Sequence, residues 1–324
     1  MDPVTHTLVG VGMANALFRR RVGPESVPIL AIASNLPDLD AAVHLTGSPA
    51  ALLMRRTFGH SLFLVPVWAL LLALVLRRFY PRTGLPRLYG LSLLGAAMHL
   101  FFDLINSFGV VLLWPFSDWR PELAIVFIID LVLTGLLALP LVLALIPAAR
   151  PRLVGMSRAA LACVALYLAL CGAGRHLAGR TLAREAAALD APPNFTYVFP
   201  EPLGPHRWRG VLRQGNLYRV YLVHSLSGQA ELKEEVRTQT GDPRVEEVRQ
   251  APFGRRLEAF FKAPVWRVQG APLTVSAYDL RFLSLLLTRR HVFEYTFEVG
   301  PAGQVGRPTW RPELTGARGG PGSA

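Results

Sequence analysis

The chain has 324 residues, of which 52% are hydrophobic and only 17% are charged. Its mean hydropathy of +0.34 is high for a soluble protein. The apolar residues concentrate in long runs before about residue 179, so we expect a lipid-embedded part followed by a water-exposed part. The two cysteines, Cys163 and Cys171, share one apolar run, which excludes a disulfide framework and a thiolate zinc site.

The net charge of +12 comes mostly from arginines that are scattered between the apolar runs. No motif that reads nucleic acid accompanies them. We therefore expect these arginines to face an anionic membrane surface, and we do not expect nucleic acid as a partner.

Four apolar runs have the length of about 20 residues that a membrane-spanning helix needs. They are Ser61–Phe79, Leu88–Ile105, Glu122–Ile146 and Ala159–Leu177. Two weaker stretches, Pro3–Phe18 and Val27–Leu45, are expected to form short spans or re-entrant segments that line a cavity, where non-helical backbone is tolerated. Pro37 should break or end a helix in the second stretch.

Basic loops predict the orientation of these spans, because cytoplasmic loops carry an excess of arginine and lysine. Three such loops are Arg19–Arg21, Arg77–Arg87 and Arg150–Arg158. If they are cytoplasmic, alternation places the N-terminus, residues 37–60, residues 106–121 and the C-terminal part on the outer side of the membrane. Arginines at 55, 56, 175, 180 and 184 run against the rule, since they lie on the predicted outer side.

From about Pro192 the pattern changes to alternating aromatic and β-branched residues between Gly/Pro turns, which predicts strands. The predicted strands are Leu217–Leu226, Leu257–Val268, Leu273–Phe282 and His291–Val299. The fold class is thus a mostly α, multi-pass transmembrane domain over residues 1–179, followed by a small β-rich soluble domain over residues 190–300. Residues 301–324 are rich in Gly, Pro and Arg and are predicted to be disordered.

Ionisable residues within the apolar runs are the main functional signal, because such residues are costly in a membrane unless they face a partner or a wet cavity. His99 and Asp103 are four residues apart and therefore share one helix face. In the topology above, His6, the Asp38/Asp40 pair and His60 lie at the same membrane side as His99 and Asp103. Asp130 is expected about two turns into the helix that follows.

Imidazole and carboxylate ligands without thiolate suit zinc, with manganese as the alternative. The candidate metal ligands are His6, Asp38, Asp40, His60, His99 and Asp103. More than four candidates leave room for two ions, a pairing that commonly serves phosphoester hydrolysis. Asp130 is a candidate to orient a ligand histidine or to be an additional ligand.

Most of these residues also have a purely structural interpretation. Asp38 and Asp40 could cap the next helix, since Asp is a favoured N-cap residue. His60 could anchor a span at the membrane interface. Histidines outside the pattern are interpreted as structural or solvated: His176, His206, His224 and His291.

Several short motifs occur in an order that resembles the YdjM-type family of bacterial inner-membrane proteins, described as LexA-regulated, membrane-bound, metal-dependent hydrolases. They are Thr5–Gly10 (THTLVG), Ser34–Asp40 (SNLPDLD), Arg56–Ser61 (RTFGHS), His99–Asp103 (HLFFD), Asn106–Gly109 (NSFG), Trp114–Ser117 (WPFS) and Phe127–Asp130 (FIID). The likeness covers roughly residues 1–150. It implies a polar signature at His6, Asp38, Asp40, His60, His99, Asp103 and Asp130.

The chain departs from the family pattern His-Arg-x-x-Thr-His-Ser at two positions. Arg55 stands where the family often has a histidine, and Gly59 replaces the threonine. This implies one fewer ligand or different substrate contacts. The order of the histidines and aspartates is also similar to zinc-dependent phospholipase C, which implies that Asp38, His60, His99 and Asp103 share one metal.

The leading hypothesis is a membrane-bound metal-dependent hydrolase of an ester or phosphoester, with a lipid or lipid-linked substrate. In it, a water molecule on the metal is the nucleophile, and His6 and Asp40 complete a second metal site. The alternatives are an ion- or proton-coupled transporter whose path these residues line, and a non-catalytic membrane protein with a structural metal site.

The predicted orientation can be tested with reporter fusions along the chain. Fusions after Arg87 and Arg152 should report the cytoplasm, because the arginine-rich loops stay on that side. Fusions after Ser117 and Asp190 should report the outside. If the reporters at Arg87 and Ser117 fall on one side, the assignment of the intervening span is wrong.

Overall fold

A computed structural model of the chain describes residues 1–270, 273–286, 293–300 and 304–311. It confirms a helical N-terminal region followed by a sheet-rich C-terminal region. The chain forms two compact units. One contains Met1–Ala188, Tyr197–Gly210 and Leu222–Glu231, and the other contains Leu189–Thr196, Val211–Tyr221 and the residues from Leu232 onward.

The helical region contains six α-helices. They are α1 (Pro3–Met13), α2 (Ser26–Ala33), α3 (Val65–Arg77), α4 (Leu85–Leu104), α5 (Leu131–Leu143) and α6 (Leu153–Ala187). Within the described residues, two helical segments are long and apolar enough to cross a membrane: Leu85–Leu104 and Pro147–Ala187, the latter including a short 3-10 turn before α6. The α3 and α5 helices are apolar but have 13 residues each.

The helical region contains long stretches that are not α-helical. After α1 the chain continues as a π-helix over Ala14–Phe18. After α2 it forms 3-10 turns over Leu36–Thr46, with Pro37 in the first turn, so the predicted break at this proline is confirmed.

The predicted span Glu122–Ile146 is wrong in its first third. Residues 121–129 form no helix, and they lie beside the end of α4: the Leu123 N–H donates to the Leu104 carbonyl at 2.8 Å, and the Ile125 N–H donates to the Ile105 carbonyl at 2.8 Å. Asp130 is the N-cap of α5, where its side chain accepts from the Leu133 N–H. It therefore does not lie two turns into a helix as expected.

The α2 helix packs against both α1 and α4, and small residues make these contacts close. On α4, a Cβ atom added to Gly95 would lie 2.6 Å from the Ala33 Cβ and 3.0 Å from the Ser34 nitrogen. The two helix backbones can thus approach only because Gly95 has no side chain. Around this contact, buried apolar residues such as Ile29, Leu30 and Leu88 form the core of the helical region.

Two four-stranded sheets follow. The first has the order β1 (Phe195–Pro200), β2 (Arg207–Gln214), β3 (Leu217–His224), β4 (Gln229–Arg237), and the second has the order β5 (Pro264–Gln269), β6 (Thr274–Asp279), β7 (Glu294–Glu298), β8 (Thr309–Arg311). The second sheet is antiparallel throughout, with Val265 opposite Tyr278 and Val275 opposite Phe297. In the order of the chain, α7 (Pro243–Gln250) and α8 (Pro252–Phe260) follow β4 and precede β5.

The predicted strands correspond in part to these elements. The prediction of a strand over Leu257–Val268 is wrong at its start, because Leu257 and Phe260 are buried residues of α8, three apart as a helix requires. Within the predicted tail, residues 309–311 form β8. The predictions for His291 and for residues 301–303 and 312–324 lie outside the described residues.

The close contact at Gly95 predicts a measurable effect on stability. Gly95→Ala should lower the unfolding free energy by about 1–3 kcal/mol, since the new methyl group overlaps α2. Gly90→Ala is the matched control on the same helix, because it is exposed and a Cβ there meets no atom within 4 Å. Thermal unfolding in detergent should show a lower melting temperature for Gly95→Ala only. Equal melting temperatures would contradict the packing of α4 on α2.

Candidate metal centre

Three irregular or helical segments bring four polar side chains to one place. His99 and Asp103 lie on one face of α4, and both are buried. His60 ends the 3-10 turn Phe58–His60, and Asp38 lies in the 3-10 segment after α2. One ligand atom from each of the four lies within 4.8 Å of every other, so the group could hold one metal ion.

The separations suit tetrahedral coordination. The His60 Nε2 atom lies 3.1 Å from the His99 Nε2 atom and 3.2 Å from the Asp103 Oδ2 atom. The His99 Nε2 atom lies 3.5 Å from that same Oδ2 atom and 3.9 Å from the Asp38 Oδ1 atom. Ligand atoms placed about 2.0–2.1 Å from a tetrahedral zinc ion are about 3.3 Å apart, so the separations among His60, His99 and Asp103 fit such an ion. The Asp38 oxygen lies farther away, within 4.8 Å of the other ligand atoms.

The contacts of the two Nδ1 atoms indicate which ring nitrogen carries the proton in His60 and in His99. His60 Nδ1 lies 2.9 Å from a carboxylate oxygen of Asp40, and His99 Nδ1 lies 2.7 Å from the main-chain carbonyl of Ser34. Both neighbours accept hydrogen bonds, so each Nδ1–H is assigned as a donor and each Nε2 as a lone pair. For His60 this assignment follows the shorter of two carboxylate contacts, since Asp103 Oδ2 lies 3.2 Å from its Nε2. Two lone pairs then face each other across 3.1 Å, and a divalent cation bound by both nitrogen atoms would remove the repulsion.

The Ser34 carbonyl is available because α2 ends at Ala33. In a continuing helix this carbonyl would accept from the Asp38 N–H, which instead donates to Asn35. The break before Pro37 therefore does two things: it places Asp38 at the site and frees a carbonyl to orient His99.

Asp103 is the most heavily contacted group of the site. Its Oδ2 atom forms an ion pair with Arg56 Nε at 2.7 Å, and its Oδ1 atom lies 3.2 Å from His6 Nε2. The amino group of Met1 also contacts Oδ1. Arg56 is buried and donates in addition to the Asn106 side chain at 2.9 Å. Asp103 is thus held in position by the guanidinium group of Arg56 as well as by the helix.

The other two predicted ligands lie beside this group of four. The His6 ring stacks on the His99 ring with centroids 3.6 Å apart, and its Nδ1 atom is buried without a hydrogen bond. Asp40 accepts from the Thr57 N–H at 2.9 Å and from His60 with the same oxygen. Burial raises the pKa of Asp40 to about 6, and burial followed by the charge of Arg56 lowers the pKa of His60 well below its usual value. A neutral His60 is the form that binds metal.

Asp130 has different neighbours. Its carboxylate accepts from the Leu133 N–H at 2.9 Å and from the Tyr167 hydroxyl at 2.8 Å, so it joins the start of α5 to α6. Both oxygens are used by these contacts, and neither contact is with a member of the group of four.

Residues 1–178 match the family described as YdjM inner membrane protein. The chain belongs to this family. A protein of Bacillus subtilis (strain 168), the uncharacterized protein YfhP, is 30% identical to it over 124 residues. That alignment covers 36% of the chain and 38% of the length of YfhP. No solved structure matches the chain.

The family match covers every residue of the site, including three that sequence reasoning did not assign a role. Arg56 and Asn106 stand within motifs that the chain shares with the YdjM-type pattern, and Ser34 begins another. Their motif positions were the available signal. Their roles depend on contacts between segments 50 or more residues apart, which spacing along the chain does not show.

Removing a ligand should remove the metal. In His99→Ala, the other three side chains cannot complete a four-ligand site, so elemental analysis of the purified protein should show loss of most bound divalent metal. The control is His206→Ala, a histidine that is not in the group of four and that should leave metal content unchanged. Full metal retention in His99→Ala would contradict the site.

Proposed function

We propose that this chain is a membrane-bound, metal-dependent hydrolase of an ester or phosphoester. The observation that carries the proposal is the pair of facing Nε2 atoms of His60 and His99, each with its other nitrogen hydrogen-bonded to an acceptor. Such a pair is suited to a cation and unfavourable without one. Within the inner-membrane family to which the chain belongs, this arrangement supports the hydrolase that the motifs imply.

Asp38, His60, His99 and Asp103 would hold one divalent ion, for which zinc is the first choice and manganese the second. When bound, such an ion supplies a Lewis acid and lowers the pKa of water to near neutrality. Asp40 and the Ser34 carbonyl would keep the two imidazoles in the tautomer that presents Nε2. The contacts of His6 and Asp40 favour supporting roles for both residues over a second ion.

His6 is suited to move a proton. Its Nε2 atom faces Asp103, a hydrogen-bond acceptor, so the proton of the neutral ring belongs on Nε2 and the lone pair on Nδ1. In hydrolysis, the oxygen of water bonds to the phosphorus or carbonyl carbon, and the bond to the leaving oxygen breaks. His6 Nδ1 would accept the proton of the water and return it to the leaving oxygen.

The charge around the site favours an anionic substrate. A divalent ion would balance Asp38 and Asp103, and an ionised Asp40 would offset one of the two arginines Arg55 and Arg56, so one positive charge remains in excess. Arg56 already forms an ion pair with Asp103 and a hydrogen bond with Asn106. Arg55 is 31% exposed, lies 3.4 Å from Asp38, and has a buried Nε atom without a hydrogen bond. Asp38 is the most accessible of the four candidate ligands, so Arg55 stands where a phosphoester would enter.

Apolar residues beside the site support a lipid or lipid-linked substrate. Leu39, between Asp38 and Asp40, is 56% exposed, and Leu62 and Phe63 follow His60 with exposures of 51% and 53%. Phe63 packs edge-on against Phe116, which is 78% exposed. An exposed apolar patch next to a polar site is typical of a surface that contacts lipid or another apolar partner.

We also propose that the helical region is multi-pass, with the site on the extracytoplasmic side. The support is the apolar outer surface of helices other than the two long ones. Exposed apolar residues of α3 include Val67, Leu71 and Val75, and those of α5 include Leu139 and Val142. Surface of this kind is stable in contact with lipid and costly in water.

A structural metal site is the second candidate. His60, His99 and Asp103 are all almost fully buried, and closed sites of this kind commonly stabilise a fold without catalysis. The partial exposure of Asp38 and the free donor of Arg55 favour catalysis instead.

The proposal predicts the behaviour of two variants toward a soluble phosphodiester such as bis-p-nitrophenyl phosphate. Asp103→Ala should lose both metal and turnover. Arg55→Gln should keep its metal but raise KM by about tenfold, because one charge-assisted contact to the anion is lost. Metal content is measured by elemental analysis and turnover by release of nitrophenolate.

The control for charge is Arg82→Gln, which removes one exposed arginine outside the site and should change neither quantity. Metal bound without turnover on any ester or phosphoester would reject the hydrolase and leave the structural site. A metal-free wild-type protein would reject both.

A further inference from the structure

A second polar cavity lies in the same unit, away from the candidate metal ligands in the chain. Its volume is about 330 Å³, and it is formed by the last turns of α6 and by the turn between β3 and β4. The lining residues are Leu177, Arg180, Thr181, Arg184, Ser225, Leu226, Ser227 and Gly228. Two arginines thus line one cavity and no carboxylate does. The hydroxyl groups of Thr181, Ser225 and Ser227 already donate to oxygen atoms of the protein, so the free donors belong to the arginines.

The two arginines are placed at a cost to the helix. Arg180 and Arg184 are four residues apart on one face of α6, where like charges repel. Neither forms an ion pair with an acidic residue in the part of the chain that the structure describes, and Arg184 makes one long contact of 3.5 Å to the Thr181 hydroxyl. An anion between the two guanidinium groups would offset the repulsion and use donors that are now free.

The turn opposite the arginines is shaped to approach them. Gly228 has a φ of +64°, in the left-handed region that favours glycine, and a Cβ atom there would lie 3.3 Å from Arg184 Nη2. Ser225 is buried and donates to the Pro205 carbonyl at 3.1 Å, so the turn is held to its neighbours. The cavity therefore has one wall of charge and one wall of fixed backbone.

The position of the cavity along α6 indicates the depth of the site in a membrane. The helix has 35 residues and is about 52 Å long, whereas the hydrocarbon core of a bilayer is about 30 Å thick. Arg180 and Arg184 follow the apolar run that ends at Leu177, so they lie where a spanning α6 would leave the hydrocarbon. At the edge of the cavity Leu177 is 39% exposed and Leu226 is 84% exposed.

From these contacts we propose that the cavity binds the phosphate of an anionic phospholipid. The arginines hold the phosphate, and the exposed leucines lie against the adjoining acyl chains. A lipid phosphate is favoured over free phosphate because exposed leucines, Leu177 and Leu226, lie next to the two arginines. Free phosphate would leave these apolar side chains without a partner. The proposal accounts for arginines on the predicted outer side of the membrane, and it does not depend on the hydrolase.

Native mass spectrometry of the full chain in neutral detergent tests the site. Wild-type protein should bind phosphatidylglycerol more tightly than phosphatidylcholine. Arg180→Gln/Arg184→Gln should weaken phosphatidylglycerol binding by about tenfold or more, since each arginine near a membrane surface contributes about 1 kcal/mol. The control is Arg77→Gln/Arg78→Gln, which removes the same charge from an exposed pair at the end of α3 and should keep wild-type affinity.

Three results would overturn the proposal. The first is wild-type affinity in Arg180→Gln/Arg184→Gln, and the second is an equal loss in the control pair, which would indicate attraction by net charge alone. The third is displacement of phosphatidylglycerol by an equal concentration of inorganic phosphate, which would assign the cavity to free phosphate.

Discussion

The candidate site depends on the orientation of two imidazole rings. His60 and His99 each donate a hydrogen bond from Nδ1 to a fixed acceptor, and this leaves two Nε2 lone pairs directed at each other across 3.1 Å. The acceptors differ in kind: one is the buried carboxylate of Asp40, and the other is the Ser34 carbonyl left free at the end of α2. In a site with little water, two facing lone pairs and a buried carboxylate repel each other unless positive charge lies nearby. The ion pair between Arg56 and Asp103 supplies part of that charge.

Irregular backbone holds these rings in place. The segments before α3 and after α4 are joined by main-chain hydrogen bonds, from Leu62 to Leu112 and from Val111 to Arg56, both at 2.9 Å. Arg120 adds hydrogen bonds to the carbonyls of Leu53 and Arg55 at 3.1 and 3.0 Å. Non-helical backbone at a membrane is stable only when its polar groups are satisfied within the protein, and these bonds satisfy them.

The arginines of the chain differ in whether an acidic side chain pairs with them. Arg209 is buried and pairs with Glu201 at 2.6 Å, and Arg56 is buried and pairs with Asp103, so both serve the structure around them. Arg180 and Arg184 have no acidic partner among the described residues, and Arg55 keeps a free donor beside Asp38. The high net charge is therefore not a uniform surface property, because some arginines pair with carboxylates while others keep donors without a partner among the described residues.

The sequence by itself determined the division into an apolar helical region and a sheet-rich region, since hydropathy and alternation follow from local composition. It also identified the polar residues and the shared face of His99 and Asp103, because four-residue spacing is a property of any α-helix. Only the tertiary structure decided that Asp40 and Ser34 orient the histidines, that Asp130 contacts Tyr167, and that residues 121–129 are not helical. Each of these depends on hydrogen bonds between distant segments, for which a single sequence carries no local signal.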